Sequence, residues 1–175
     1  MTPSFRDRLS RFLAVAGLCA AAAAAAVAQA GERSAMPADV PDAYLQECAA
    51  CHTAYPPGAL PAASWRRIMS GLDSHYGTDA ALDPATAARI DAWLQRHAGT
   101  WKRVSDEPPQ DRITRSRWFE RKHRKVDTAV WRHDSVKSAA NCGACHVGAD
   151  RSRFDDDDLR FPAGLGARHR RAWND

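Results

Sequence analysis

The sequence predicts an all-α protein made of two small halves, the second of them rich in loops. Several segments repeat apolar residues at steps of three and four, which is the spacing of one helix face. No segment shows the long apolar–polar alternation that is typical of a β-strand. Residues 105–111, SDEPPQD, place two prolines among charges and so indicate a boundary. We therefore expect domains over residues 31–105 and 106–175.

The first 30 residues have the pattern of a secretory signal peptide. A basic start, MTPSFRDRLSR, precedes an uncharged apolar run, and AQA at residues 28–30 provides a small-residue cleavage site. A membrane anchor is the alternative, but the apolar run is short for a span. No later apolar run is long enough to cross a membrane. We expect a mature chain in the periplasm, without a membrane span.

The charge balance does not favour a nucleic-acid partner. The 175 residues have a formal charge of +4, and removal of residues 1–30 takes away three arginines and one aspartate, which leaves +2. The basic clusters RKHRK and RHRR are opposed by the acidic run FDDDDL. We therefore expect no binding to DNA or RNA.

Three helices are predicted in the first half. The segment VPDAYLQECAACH has Pro41 as its second residue, and proline is suited to the start of a helix. The segment PAASWRRIMSGLDSHYG carries apolar residues on one face and His75 at its end. The segment LDPATAARIDAWLQRHAG has Asp83 as its cap, Pro84 in its first turn and Gly99 as its stop.

The second half contains one predicted helix and longer irregular segments. We expect RITRSRWFERKHRKV to be helical from Thr114 or Arg115, with Phe119 and His123 on one face. The segment DTAVWRHDSVKSAANCGACH then leads to a pair of cysteines. The tail from residue 154 onward combines glycine, proline and charge runs, so it is expected to be loosely structured.

Four of the five cysteines fall in two copies of the motif Cys-x-x-Cys-His, and Cys19 lies in the predicted signal peptide. The two copies are Cys48, Cys51 and His52, and Cys142, Cys145 and His146. Disulfides suit an exported protein but leave both histidines unexplained. A zinc site would have to join two pairs with 90 residues between them, which is far wider than compact zinc modules use.

Covalent attachment of two c-type haems explains the cysteines and the histidines together. Each thiol adds to a haem vinyl group, and cysteines three positions apart reach the two vinyl groups on one edge of the ring. The residue after the second cysteine then lies under the ring, where its imidazole coordinates the iron. The sequence therefore predicts two covalently bound haems c, one at each motif.

The second axial ligand of each iron separates an electron carrier from an enzyme. Methionine is a common ligand, but the mature chain has only Met36 and Met69, neither of them in the second half. The histidines outside the motifs, in contrast, number five, which favours two bis-histidine haems. These histidines are His75, His97, His123, His133 and His169.

The sequence around these five histidines indicates only in part which of them are the second iron ligands. His97 suits the C-terminal turn of a helix, where a charged imidazole is favourable. His169 lies in an arginine-rich tail and is expected to be solvated. His133 has Trp131 close by in sequence and is therefore a rival of His123.

The order of these motifs resembles that of the bacterial dihaem cytochrome c family, which are small periplasmic electron carriers. The resemblance extends over most of residues 40–161 and is most specific in RITRSRWFERKHRKV and VKSAANCGACH. It implies a first half like a class I cytochrome c, with histidine in place of methionine, and two six-coordinate haems. By position, it implies that His75 pairs with His52 and that His123 pairs with His146.

The resemblance implies a carrier of single electrons with no enzymatic activity. Its redox partners would be a soluble monohaem cytochrome or a membrane b-type cytochrome. The alternative is a dihaem enzyme, such as a peroxidase or a nitrogen-oxide reductase. Such an enzyme needs one open axial site with acid–base groups above it.

Overall fold

Helices dominate the computed structural model, which describes residues 34–156 and 159–173. The predicted signal peptide lies outside these residues. In the described part of the chain, extended pairing is limited to two isolated bridges, so the all-α prediction is confirmed. The α-helices are α1 (Asp42–Cys48), α2 (Ala62–Ser70), α3 (Pro84–His97), α4 (Arg117–Lys122) and α5 (Thr128–Trp131). The short 3-10 helices are Pro57–Ala59, Leu72–Ser74, Pro109–Asp111, Ile113–Arg115, Cys142–Ala144, Ala149–Arg151 and Ala167–Trp173.

The helices α1, α2 and α3 surround one apolar core. Its buried side chains are Tyr44, Ala54, Leu60, Trp65, Ile90, Trp93 and Leu94. Pro41 precedes α1 as predicted, and the carboxylate of Asp83 accepts hydrogen bonds from the backbone at the start of α3. Gly99, with φ of +67°, follows the end of α3, where its lack of a side chain permits the left-handed backbone.

The predicted second helix ends earlier than expected. Helix α2 stops at Ser70, and Gly71 leaves the helical backbone conformation because glycine has a poor helix propensity. A 3-10 turn, Leu72–Ser74, follows, and His75 has an extended backbone. The prediction that His75 ends a helix is therefore wrong, and this histidine lies on a loop.

The second half has its own smaller apolar cluster. Helix α4 begins at Arg117, two or three residues later than predicted, because Ser116 has an extended backbone and its hydroxyl caps the helix at Phe119. Beyond it, Val130 and Val136 are buried together with Leu165 from the tail. The described part of the tail therefore packs against the second half, contrary to the expectation of a loose structure. Residues 157 and 158 of the acidic run lie outside the described part.

The described residues belong to one compact unit that begins at Ser34. The division into domains at residues 105 and 106 stays a prediction. No helix in the described ranges is long and apolar enough to cross a bilayer.

Candidate haem-binding sites

The first Cys-x-x-Cys-His motif leaves the C-terminal end of α1. Cys48 is the last residue of that helix, and Cys51 is exposed one turn further on. The Nδ1 atom of His52 lies 2.7 Å from the carbonyl oxygen of Thr53. A carbonyl can only accept a hydrogen bond, so Nδ1 carries the proton and Nε2 keeps a lone pair for a metal.

His75 lies opposite His52. The planes of the two imidazole rings are inclined at 26°, and their centroids are 6.2 Å apart. Two ring nitrogens on opposite sides of one metal would be about 4 Å apart, and the centroids behind them about 6 Å apart. The separation therefore fits one metal ion between the two rings.

A cavity of about 440 Å³ contains this gap. It is lined by both cysteines and both histidines of the first site, and its remaining wall is largely apolar. The apolar lining includes Leu60, Trp65, Ile68, Met69, Leu72, Leu82 and Leu94. A flat, mostly apolar cofactor attached to the cysteines fits such a cavity.

Burial lowers the pKa of His75, and the neighbouring His52 and Arg112 add to this effect. Since a metal binds the neutral imidazole, a lowered pKa favours the ligating form at neutral pH. The first site therefore combines a suitable spacing with a suitable protonation state.

The second motif begins in the 3-10 turn Cys142–Ala144. The backbone N–H of His146 donates to the carbonyl of Cys142 at 2.9 Å, which closes the motif into a compact loop. The Nδ1 atom of His146 is buried and has no hydrogen-bond partner in the described part of the chain. The ring lies at the end of the motif, where the sequence predicts the ligand of the second haem.

His123 follows α4 and faces His146 with ring centroids 6.2 Å apart. Its Nδ1 atom is 2.9 Å from the carbonyl oxygen of Phe119, and the Phe119 ring stacks on it at 3.9 Å. The carbonyl again assigns the proton to Nδ1 and leaves Nε2 free for a metal. Burial lowers the pKa of both His123 and His146, so both are held in the neutral form.

No disulfide joins the four cysteines of the two motifs. Within residues 34–156 and 159–173, no three or more His, Cys, Asp or Glu side chains are grouped to hold a metal ion by themselves. The two cysteine pairs therefore do not form a shared zinc cluster, and the arrangement at each motif fits a haem.

The family model for dihaem cytochrome c matches residues 44–154, which include both motifs and both facing histidines. The chain belongs to the dihaem cytochrome c family. This confirms the family predicted from the sequence, and with it two covalently bound c-type haems.

Solved structures of other dihaem cytochromes resemble this one. The diheme cytochrome c of Shewanella baltica OS155 is 35% identical, with a TM-score of 0.61, and the match covers 73% of this chain and 98% of that chain. A diheme cytochrome c from Rhodobacter sphaeroides is 36% identical, with a TM-score of 0.59, and the match covers 66% of this chain and 98% of that one. A comparison with curated proteins finds no match.

The other three histidines of this dihaem cytochrome have different partners. His97 lies 2.9 Å from a carboxylate oxygen of Asp39. The Nδ1 atom of His133 lies 2.9 Å from the Ser135 hydroxyl, and Nε2 of His169 accepts a hydrogen bond from its neighbour in sequence. The geometry thus favours His123 over His133 opposite His146.

Two tyrosines at the haem sites escaped the sequence analysis. Tyr55 stacks on His52 at 5.0 Å, and its hydroxyl donates to the carbonyl of Ala140, two residues before the second motif. It therefore contacts the surroundings of both motifs. Tyr76 packs edge-on against the His75 ring at 4.8 Å. Closeness in sequence to a candidate ligand histidine was the available signal, but it does not reveal the distant partner of either hydroxyl.

Proposed function

We propose that this dihaem cytochrome carries single electrons through two haems that each have two histidine ligands. The observation that supports this most directly is the facing pair of imidazoles at each motif. A ligand on both sides of each iron leaves no open position for a substrate, so the protein acts as a carrier and not as an enzyme.

Each side chain of the proposed sites has a defined role. Cys48, Cys51, Cys142 and Cys145 form the thioethers. His52 and His146 would hold the irons as the motif ligands, and His75 and His123 would hold them from the opposite sides. When bound, each haem supplies an iron that gains or loses one electron. The protein orients the imidazoles and surrounds them with apolar and aromatic side chains, and bis-histidine ligation sets a lower potential than histidine–methionine ligation would.

The cellular setting follows from the sequence pattern. A protein with a cleaved signal peptide over residues 1–30 works in the periplasm, which is where electrons would be exchanged. We propose one haem in each predicted half, residues 31–105 and 106–175. The redox partners are proposed to be a soluble monohaem cytochrome or a membrane b-type cytochrome.

Spectroscopy of the purified holoprotein tests this proposal. We expect an intact mass equal to the chain without residues 1–30 plus two haems, and two low-spin ferric signals by electron paramagnetic resonance. The reduced protein should bind carbon monoxide slowly at both haems, because each iron already has six ligands. Rapid binding at one haem of the unmodified protein would instead support the dihaem enzyme.

A further inference from the structure

The loop that carries His75 is held by residues that are distant in sequence. Tyr76 follows His75 directly and has a φ of +51°, a left-handed conformation that is rare for a bulky residue. Its hydroxyl donates to the carbonyl oxygens of Gln110, at 3.1 Å, and Asp111, at 3.2 Å. The guanidinium of Arg112 lies 4.1 Å from the centre of the Tyr76 ring, within the range of a cation–π interaction.

The segment that receives Tyr76 is itself in an uncommon conformation. Gln110 and Asp111 both have positive φ, at +58° and +54°. Two successive residues of this kind persist only where their surroundings hold them in place. The strained backbone therefore indicates that the contacts on both sides of this segment are specific.

Arg67 on α2 fixes the other side of the segment. It contacts both carboxylate oxygens of Asp111, at 2.9 Å from Nε and 2.6 Å from Nη2. The same Nη2 lies 2.6 Å from a carboxylate oxygen of Glu107. Exposed ion pairs are usually weak. The pair of Arg67 and Asp111 is bidentate, however, and the Asp111 side chain is only 15% exposed.

His75 has few contacts of its own that could hold it. It lies on a loop after a 3-10 turn, and its described ring contacts are with His52 and Tyr76. By contrast, the ring nitrogen of His52 is already oriented by a carbonyl next to it in sequence. The position of the His75 ring therefore depends on Tyr76 and on whatever holds Tyr76.

We propose that Arg67, Glu107, Asp111 and Arg112 form a latch that holds Tyr76 and so positions His75 opposite His52, an inference that rests on the proposed role of His75 as an iron ligand. Arg67 and Tyr76 are positioning residues in this arrangement. The latch joins α2 and the His75 loop to the segment at the predicted boundary between the halves. Without these contacts, His75 would be held less firmly opposite His52.

Two neighbouring arginines on α2 allow a matched test. Arg66 donates to Gln95 at 3.3 Å, whereas Arg67 contacts the latch. Carbon monoxide binding to the reduced holoprotein is measured by stopped flow for the wild type, Arg66→Ala and Arg67→Ala. We expect Arg67→Ala to bind about 10–100-fold faster at one haem, if the loosening of His75 matches the factor by which metal affinity falls when groups that orient a metal ligand are removed. Arg66→Ala should match the wild type.

A second variant keeps the test decisive if Arg67→Ala yields no holoprotein. Tyr76→Phe retains the ring but loses both hydroxyl hydrogen bonds, and it should also accelerate binding at the first haem. The His75→Ala variant identifies which optical and electron paramagnetic resonance signals belong to that haem. Slow binding in the wild type and in all latch variants would overturn the latch alone. Rapid binding at the first haem of the wild type would overturn the ligand role of His75 and the latch together.

Discussion

The two histidines proposed as distal ligands, His75 and His123, are held in different ways. His123 is supported locally, since its ring nitrogen and its ring face both contact Phe119, one helical turn earlier. His75 is supported from a distance, through Tyr76 and a segment more than 30 residues further along the chain. The support of His123 comes from one short stretch of sequence, whereas the support of His75 forms only after the chain has folded. We expect the two sites to respond differently to substitutions.

Removal of the distal ligands should have the largest effect. His75→Ala and His123→Ala each leave one iron with an open position, so each variant should gain rapid carbon monoxide binding at one haem and a high-spin ferric signal. The two variants should change different haems. If both variants altered the same haem, or if neither did, the pairing of the histidines would be wrong.

Loss of the local support should damage the second site alone. Phe119 is buried, and Phe119→Ala should cost about 3 kcal/mol of unfolding free energy, because it removes a large core side chain and leaves a cavity. Denaturant titration of the holoprotein measures this cost, and carbon monoxide binding should accelerate at the second haem. Phe119→Leu, which retains more of the volume, serves as the control. Faster binding at the first haem would contradict the local character of this support.

Loss of the Tyr55 hydroxyl should weaken the connection between the two motifs. Burial raises the pKa of Tyr55, so its hydroxyl stays protonated and donates to the Ala140 carbonyl at 2.9 Å. Tyr55→Phe should cost about 1 kcal/mol of unfolding free energy, the value of one hydrogen bond. The stacking on His52 should remain, so the ligation spectra should not change. A spectral change without a loss of stability would contradict this assignment.

The helix cap of α3 should contribute least and should leave both haems unaffected. Hydrogen bonding from Thr86 lowers the pKa of Asp83, so the capped form is the ionised one. A carboxyl group with a lowered pKa stabilises the fold fully at pH values above its unfolded pKa of about 4. It loses that contribution as the pH falls through the lower pKa of the folded state. Asp83→Ala should lower the melting temperature slightly at pH 7 and less at pH 3. Asp83→Ser, which can still cap the helix, should restore most of the loss.

Local features of the fold could be predicted from the sequence. The Cys-x-x-Cys-His motifs, the position of Pro41 just before α1, and the positions of Asp83 and Gly99 on either side of α3 depend on neighbouring residues. The contact between Phe119 and His123 depends on their spacing of four. The end of α2 was missed because the apolar spacing continues past Gly71, where the helix stops.

By itself, the sequence determined that two cofactor motifs exist, that the chain is helical and that Phe119 supports His123, because each of these depends on residues within a few positions of one another. From the residues alone His133 stayed a rival of His123, and the resemblance implied His123. The tertiary structure brings His123, and not His133, opposite His146, and it packs the tail on the second half. It also decided that Tyr76 reaches Gln110 across the chain. Such contacts depend on the three-dimensional path of the backbone. An apolar periodicity of three or four residues gives no information about that path.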